Sequence, residues 1–187
     1  MYRKTANTPM MTMTLDTALD DFISRFRQQH SDLTIEFDPE WPSPCYEQTA
    51  EPGAMVPWSP VRQTQKNHFN NVESALDLTL DPQYCAYFTR YYSENLPARA
   101  EQGNCELLQV WNQDDFERLQ QNLIGHLLMK KRLKQPPTLF FALTDEDDFI
   151  LTVDNDNGSI MLEQVGKVPV KEVAKDLASF LSGLSPR

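Results

Sequence analysis

The sequence predicts an α+β fold: a single domain in which a mainly antiparallel sheet packs with several helices. Two observations carry this. Apolar residues recur at steps of three and four in five segments, and β-rich runs in the C-terminal half are joined by short polar turns. The chain has 187 residues, 40% of them hydrophobic, which suits one domain with a buried core, and it shows no internal repeat or low-complexity segment.

Residues 1–13 are polar and aperiodic and predict a flexible tail, leaving 14–187 as the domain. Leu15, Leu19, Phe22, Ile23 and Phe26 mark one helix face running to about Gln29, with Asp16, Asp20 and Asp21 in its first turns, where the helix dipole favours anions. Six prolines, Pro39, Pro42, Pro44, Pro52, Pro57 and Pro60, cannot donate backbone hydrogen bonds, so this stretch reads as extended loop or edge segments. Its Trp41, Tyr46 and Trp58 either pin the loop to the core or bracket a surface groove.

Asn71 is placed to cap a helix carrying Val72, Ala75 and Leu76, and Pro82 suits the first turn of another, faced by Tyr84, Tyr87, Phe88 and Tyr91. Cys105–Trp111 reads as a strand. Asn112, with Asp115 three positions later, then opens a long helix with a stripe of Phe116, Leu119, Leu123, Ile124, Leu127 and Leu128. Gly125 would allow a close approach by another element, and Pro136 and Pro137 end the helix. Thr138–Leu143 and Phe149–Val153 read as strands. A turn at Asp154–Gly158 leads to Ile160, Leu162 and Val165, which predicts an antiparallel meander or hairpin. Val170, Val173, Ala174, Leu177, Phe180, Leu181 and Leu184 predict a final amphipathic helix.

The composition argues against several classes of function. A net charge of −10 and a pI near 4.7 disfavour nucleic acid, whose phosphates need clustered cations. Three widely spaced cysteines without a CxxC indicate neither a disulfide framework nor a zinc site, and they fit a reducing cytosol. No segment has the length and apolarity of a membrane span. The nucleotide, zincin and EF-hand signatures are absent, and the acids Asp145–Asp148 lack a liganding register with a glycine turn, so no cofactor and no metal are expected. No catalytic residue is indicated either. His30, His68 and His126 lie in no local motif with a nucleophile, and a hydrolase would need Cys45, Cys85 or Cys105 beside a distant histidine.

Charge distribution is more informative. Thr144–Glu163 holds seven acids and no Lys or Arg, and Asp16–Glu51 holds nine acids against Arg25 and Arg27. Gathered on one face, these segments would recruit a Lys/Arg-rich partner by their summed potential. Lys130, Lys131, Arg132 and Lys134 run the other way. They read as cations complementing the carbonyls at a helix C-terminus, or as a basic patch for anionic lipid headgroups.

The stretch WNQDDFERLQQNLIGHLLMKKRLKQPPTLFFAL, Trp111–Leu143, closely resembles the signature region of the Syd family of SecY-interacting proteins. The resemblance extends to WPSPC at Trp41–Cys45, to NVESALDLTLDP at Asn71–Pro82 and to the closing amphipathic segment. It implies an α+β fold similar to the SUKH group and no enzymatic activity. It also implies a bacterial cytosolic protein held peripherally at the cytoplasmic side of the inner membrane; separately, a monomer is expected. There an acidic surface would meet the basic cytosolic loops of SecY and monitor or modulate translocon assembly. The acids expected to bind the partner are Glu36, Asp38, Glu40, Asp145, Glu146, Asp147, Asp148, Asp154 and Asp156. The alternative is a SUKH-type binding or immunity protein with a soluble partner.

Overall fold

Alternating apolar residues in the C-terminal half can bury one side of a sheet only if helices cover that side, and the chain supplies them from both ends. The computed structural model describes residues 13–187, so the expected tail lies almost wholly outside the described residues. In chain order the elements are α1 (Leu15–Gln29), β1 (Thr34–Glu36), β2 (Met55–Pro57), β3 (Val61–Arg62), α2 (Asn70–Leu76), α3 (Pro82–Phe88), β4 (Tyr91–Tyr92), β5 (Leu96–Ala100) and β6 (Gly103–Leu107). Then follow α4 (Gln113–Arg132), β7 (Thr138–Thr144), β8 (Phe149–Asp154), β9 (Ile160–Gln164), β10 (Lys171–Ala174), α5 (Leu177–Ser182) and β11 (Ser185–Pro186). This is one α+β domain. Its main sheet has seven strands in the order β10-β9-β8-β7-β6-β5-β11, every neighbouring pair antiparallel.

Neighbours in β7 show how the layers are set. Successive strand residues point to opposite faces. Phe140 meets the His126 ring of α4 at 5.5 Å, while Phe141 meets Tyr87 of α3 at 5.9 Å and Phe180 of α5 at 5.6 Å. Helices α1, α3 and α5 therefore form the layer on one face and α4 lies on the other. Helix α1 buries the predicted stripe, with Ala18 added, and Thr14 Oγ1 caps it by accepting from Thr17 N. Arg90 fixes its outer side, with Nη1 2.9 Å from Asp16 and Nη2 2.6 Å from Asp20. That guanidinium holds the Asp20 carboxyl below the usual range.

The proline-rich segment packs through its aromatics. Tyr46 stands edge-on to Trp111 at 5.1 Å and Trp58 to Trp111 at 5.8 Å, and Ser43 Oγ donates to the Trp111 carbonyl at 2.6 Å. Asn112 caps α4 as expected, accepting from Asp115 N at 2.8 Å. The Asp115 carboxylate returns a bond to Trp111 N, one residue before the position a capping box uses.

Several expectations are corrected. Asn71 does not cap α2: the N-cap is Phe69, which has no side-chain acceptor. Tyr91 lies in β4, beyond the end of α3 at Phe88. The strand expected at Cys105–Trp111 is β6, which ends at Leu107, and β5 before it escapes a reading of the sequence because Pro97 interrupts its pattern. Leu128 is 45% exposed, and an added Cβ at Gly125 would meet nothing within 4 Å, so no element approaches there among the described residues.

The final amphipathic helix is the largest error. Lys171–Ala174 is a strand paired with β9, and only Leu177–Ser182 is helical, capped by Asp176 accepting from Ser179 N at 2.7 Å. Val170, Val173, Ala174 and Leu177 fit helical spacing, but pairing with β9 satisfies the backbone groups of this segment and overrides the pattern.

Candidate functional site: two acidic faces and a buried ion pair

Strand registers place Pro97, Glu106, Leu143, Ile150 and Glu163 side by side across β5 to β9, on the face that carries α4. The two ends of this row have opposite fates. At the β9 end, Lys130 and Glu163 are both fully buried, with Nζ donating to Oε1 at 2.8 Å. Nζ also donates to the Lys167 carbonyl at 3.0 Å, and Thr152 Oγ1 donates to Glu163 Oε2 at 3.0 Å. Lys130 is thus neither a helix-end cation facing solvent nor part of a lipid-facing patch, and Glu163 leaves the count of surface acids. Lys131 and Arg132 are exposed in the last turn of α4, whereas Lys134 lies beyond the helix at φ +55°.

At the other end the sheet is open: Leu143 is 41% exposed. Here Glu94, Glu106 and Asp115, each half-buried, come from the β4–β5 connection, β6 and the start of α4. Burial raises the Glu94 carboxyl above its ordinary pKa, and the neighbouring charges of Asp115 and Glu106 push it further. Asn95 orients the group, with Nδ2 donating to Glu106 Oε1 at 2.9 Å. Among the described residues the one ion pair these three carboxylates make is Arg118 Nη1 to Asp115 Oδ1, at 3.9 Å. Like charges held together with so little compensation form a site that gains from an incoming cation.

Such crowding costs the fold. A carboxyl raised in the folded state favours folding only where it is protonated, and that contribution is lost as pH rises through the folded value. Glu94→Gln is therefore expected to raise the melting temperature at about pH 7 and to leave it nearly unchanged at about pH 4. Thermal melts at the two pH values check this.

The acids singled out from the sequence fall in three places. Glu36 ends β1, with Asp38 and Glu40 in the turn after it, where Asp38 Oδ1 accepts from Glu40 N at 2.9 Å. Asp145–Asp148 are all exposed in the β7–β8 turn, and Asn104 Nδ2 donates to Asp145 at 3.1 Å. Asp154 ends β8 and Asp156 lies in the turn after it, where Asp154 Oδ1 accepts from Asp156 N at 2.8 Å. Each set is brought together internally. The second and third sit at opposite ends of β8, roughly 20 Å apart for a strand of this length.

Sequence reading missed Glu94, Glu106 and Asp115 because they come from three separate elements. One signal was available for Glu106: in a strand its position between Cys105 and Leu107 puts it on the face opposite those buried residues.

Among the described residues no cysteine thiol is hydrogen-bonded to a histidine. Burial pushes the Cys45 and Cys105 thiols up to about 11 and the Cys85 thiol up to about 12, which leaves them protonated near neutral pH. His126 is spent on a 3.1 Å hydrogen bond with Thr138 Oγ1, and burial lowers its pKa. His68 lines a cleft between α2 and α4 with no cysteine among its described lining residues. Among the described residues no cluster of three or more His, Cys, Asp or Glu could hold a metal ion, and no helix is long and apolar enough to cross a membrane.

A family model described as "Syd protein (SUKH-2)" matches residues 13–186. Protein Syd of Alteromonas mediterranea is 59% identical over 178 residues, covering 94% of this chain and 98% of the relative. Protein Syd of Pseudoalteromonas atlantica is 49% identical over 182 residues, covering 94% and 98%, and that of Colwellia psychrerythraea is 42% identical over 185 residues, covering 92% of each.

Proposed function

The chain belongs to the Syd family, and from that premise we propose that it binds the basic cytosolic loops of SecY at the cytoplasmic side of the bacterial inner membrane. It does so as a monomer and a peripheral ligand, and it monitors or modulates translocon assembly without catalysing a reaction. The observation that carries the reading is the open end of the sheet, where Glu94, Glu106 and Asp115 stand close together with a single long ion pair among the described residues.

An exposed ion pair is worth about 0 to 1 kcal/mol, so scattered acids would not hold a partner, whereas half-buried carboxylates sharing one potential gain more from each cation. In this reading Glu94, Glu106 and Asp115 are the central contacts. Asp145, Glu146, Asp147 and Asp148 extend the field around the end of the sheet. Glu36, Asp38, Glu40, Asp154 and Asp156 contribute to steering.

Sedimentation with inner-membrane vesicles tests the proposal. Binding to SecY-rich vesicles well above that to SecY-free vesicles of the same lipid composition is expected. Equal binding to both would turn the reading toward lipid, and no binding to either would discard it.

A further inference from the structure

On the sheet face opposite Glu106, a groove of about 470 Å³ opens beneath the β7–β8 turn. Residues of β6 and of β10, four places apart in the sheet order, both line it, so the sheet curls around it. Its floor is apolar, made by Cys105, Leu151, Leu162, Val173 and Phe180, with Val170 65% exposed at the side. Asp145 and Glu146 form part of the lining from the turn above, followed by the exposed Asp147 and Asp148, and Lys171 is the one cation in the lining among the described residues. None of these four acids makes an ion pair among the described residues, where the six present all lie elsewhere. An apolar hollow of this size beside unpaired carboxylates suits an occupant that is apolar at one point and cationic on either side of it.

We infer that the groove seats one large apolar side chain of a polypeptide segment whose neighbouring residues are Lys or Arg, with Asp145 and Glu146 holding those cations at its mouth. The inference deepens the function proposed above and rests on it for the class of partner. Asn104 links the two surfaces. It lies two residues before Glu106 on the same strand, donates to Asp145, and belongs to the lining of the groove. A segment lying over the Glu106 face can therefore pass around the β7–β8 turn and drop an anchor behind it. Such an anchor supplies the affinity that exposed charge pairs lack.

Backbone amide NMR of the labelled chain at low salt tests this, with a short synthetic peptide carrying one Phe between Lys and Arg residues as the probe. Shifts at Cys105, Leu162 and Val173 are expected, and replacing the peptide's Phe with Ser should weaken binding about tenfold or more. Val173→Arg, which puts a charged side chain in the groove from a half-buried edge-strand position, should abolish the preference for Phe while keeping the dispersed spectrum of a folded protein. Asp145→Asn with Glu146→Asn should weaken both peptides alike. Equal affinity for the Phe and Ser peptides, or shifts confined to the acidic turn, would overturn the inference.

Vesicle binding run in parallel separates the two claims. Undiminished SecY binding by Val173→Arg would sink the groove and leave the proposed function standing. Peptide seated in the groove with no SecY binding would do the reverse.

Discussion

Replacing Lys130 with Met is expected to destabilise the protein by about 3–5 kcal/mol. The ammonium is fully buried against Glu163, so its removal leaves a carboxylate in the interior with, among the described residues, only Thr152 Oγ1 donating to it. It also leaves the Lys167 carbonyl without this donor. Glu163→Leu should cost a comparable amount, because it strands the ammonium instead. The double change Lys130→Met with Glu163→Leu should recover most of the loss, since apolar side chains of similar volume remove both desolvation penalties. Urea unfolding of the four proteins measures this through midpoints at unchanged slope. Additive single costs would show that the pair is not coupled.

This pair also shows where sequence reading fails. In GHLLMKKRLKQPP every cation looks equivalent, and Lys130 adjoins two residues that do face solvent, Lys131 and Arg132. Only the tertiary position of β9 beneath the last turns of α4 singles it out. Glu163 looks like the last member of an acidic run for the same reason. By contrast, α1 and the start of α4 are legible because local chemistry agrees with the global fold: Thr14 and Asn112 cap, and the apolar stripe follows without interruption. Strands β7 and β8 are legible from their β-rich composition and the turns that bound them. The segment from Val170 is not, since its residues fit helical spacing and a strand pairing outside the segment decides the outcome.

Glu94→Gln combined with Glu106→Gln is expected to weaken SecY binding by about 30- to 150-fold, or about 2–3 kcal/mol at about 1–1.5 kcal/mol for each hydrogen bond that loses its charge assistance. Both substitutions keep side-chain shape, and the amide oxygen introduced at position 106 can still accept from Asn95 Nδ2, so the fold should hold. Asp115 is left intact because it also bonds the Trp111 amide at the start of α4. Asp154→Asn with Asp156→Asn, at the far end of β8, serves as the comparison and should change affinity less than about threefold, chiefly through steering. Equal losses from the two double variants would mean that net charge, not this face, governs binding.

The sequence points to an acidic binding protein through its charge and to the family through Trp111–Leu143, yet it points to the most concentrated runs of acid rather than the most crowded ones in space. Runs such as Asp145–Asp148 are conspicuous in a line of letters. Glu94, Glu106 and Asp115 are ordinary there, and become a site only when β6, the β4–β5 connection and the start of α4 converge.

The most direct measurement is the affinity for reconstituted SecY between about 50 and about 500 mM salt, for the parent protein and for Glu94→Gln with Glu106→Gln side by side. The parent is expected to weaken steeply as salt rises, and the double variant to start weaker and weaken less. An affinity that is insensitive to salt and the same in both proteins would contradict this expectation.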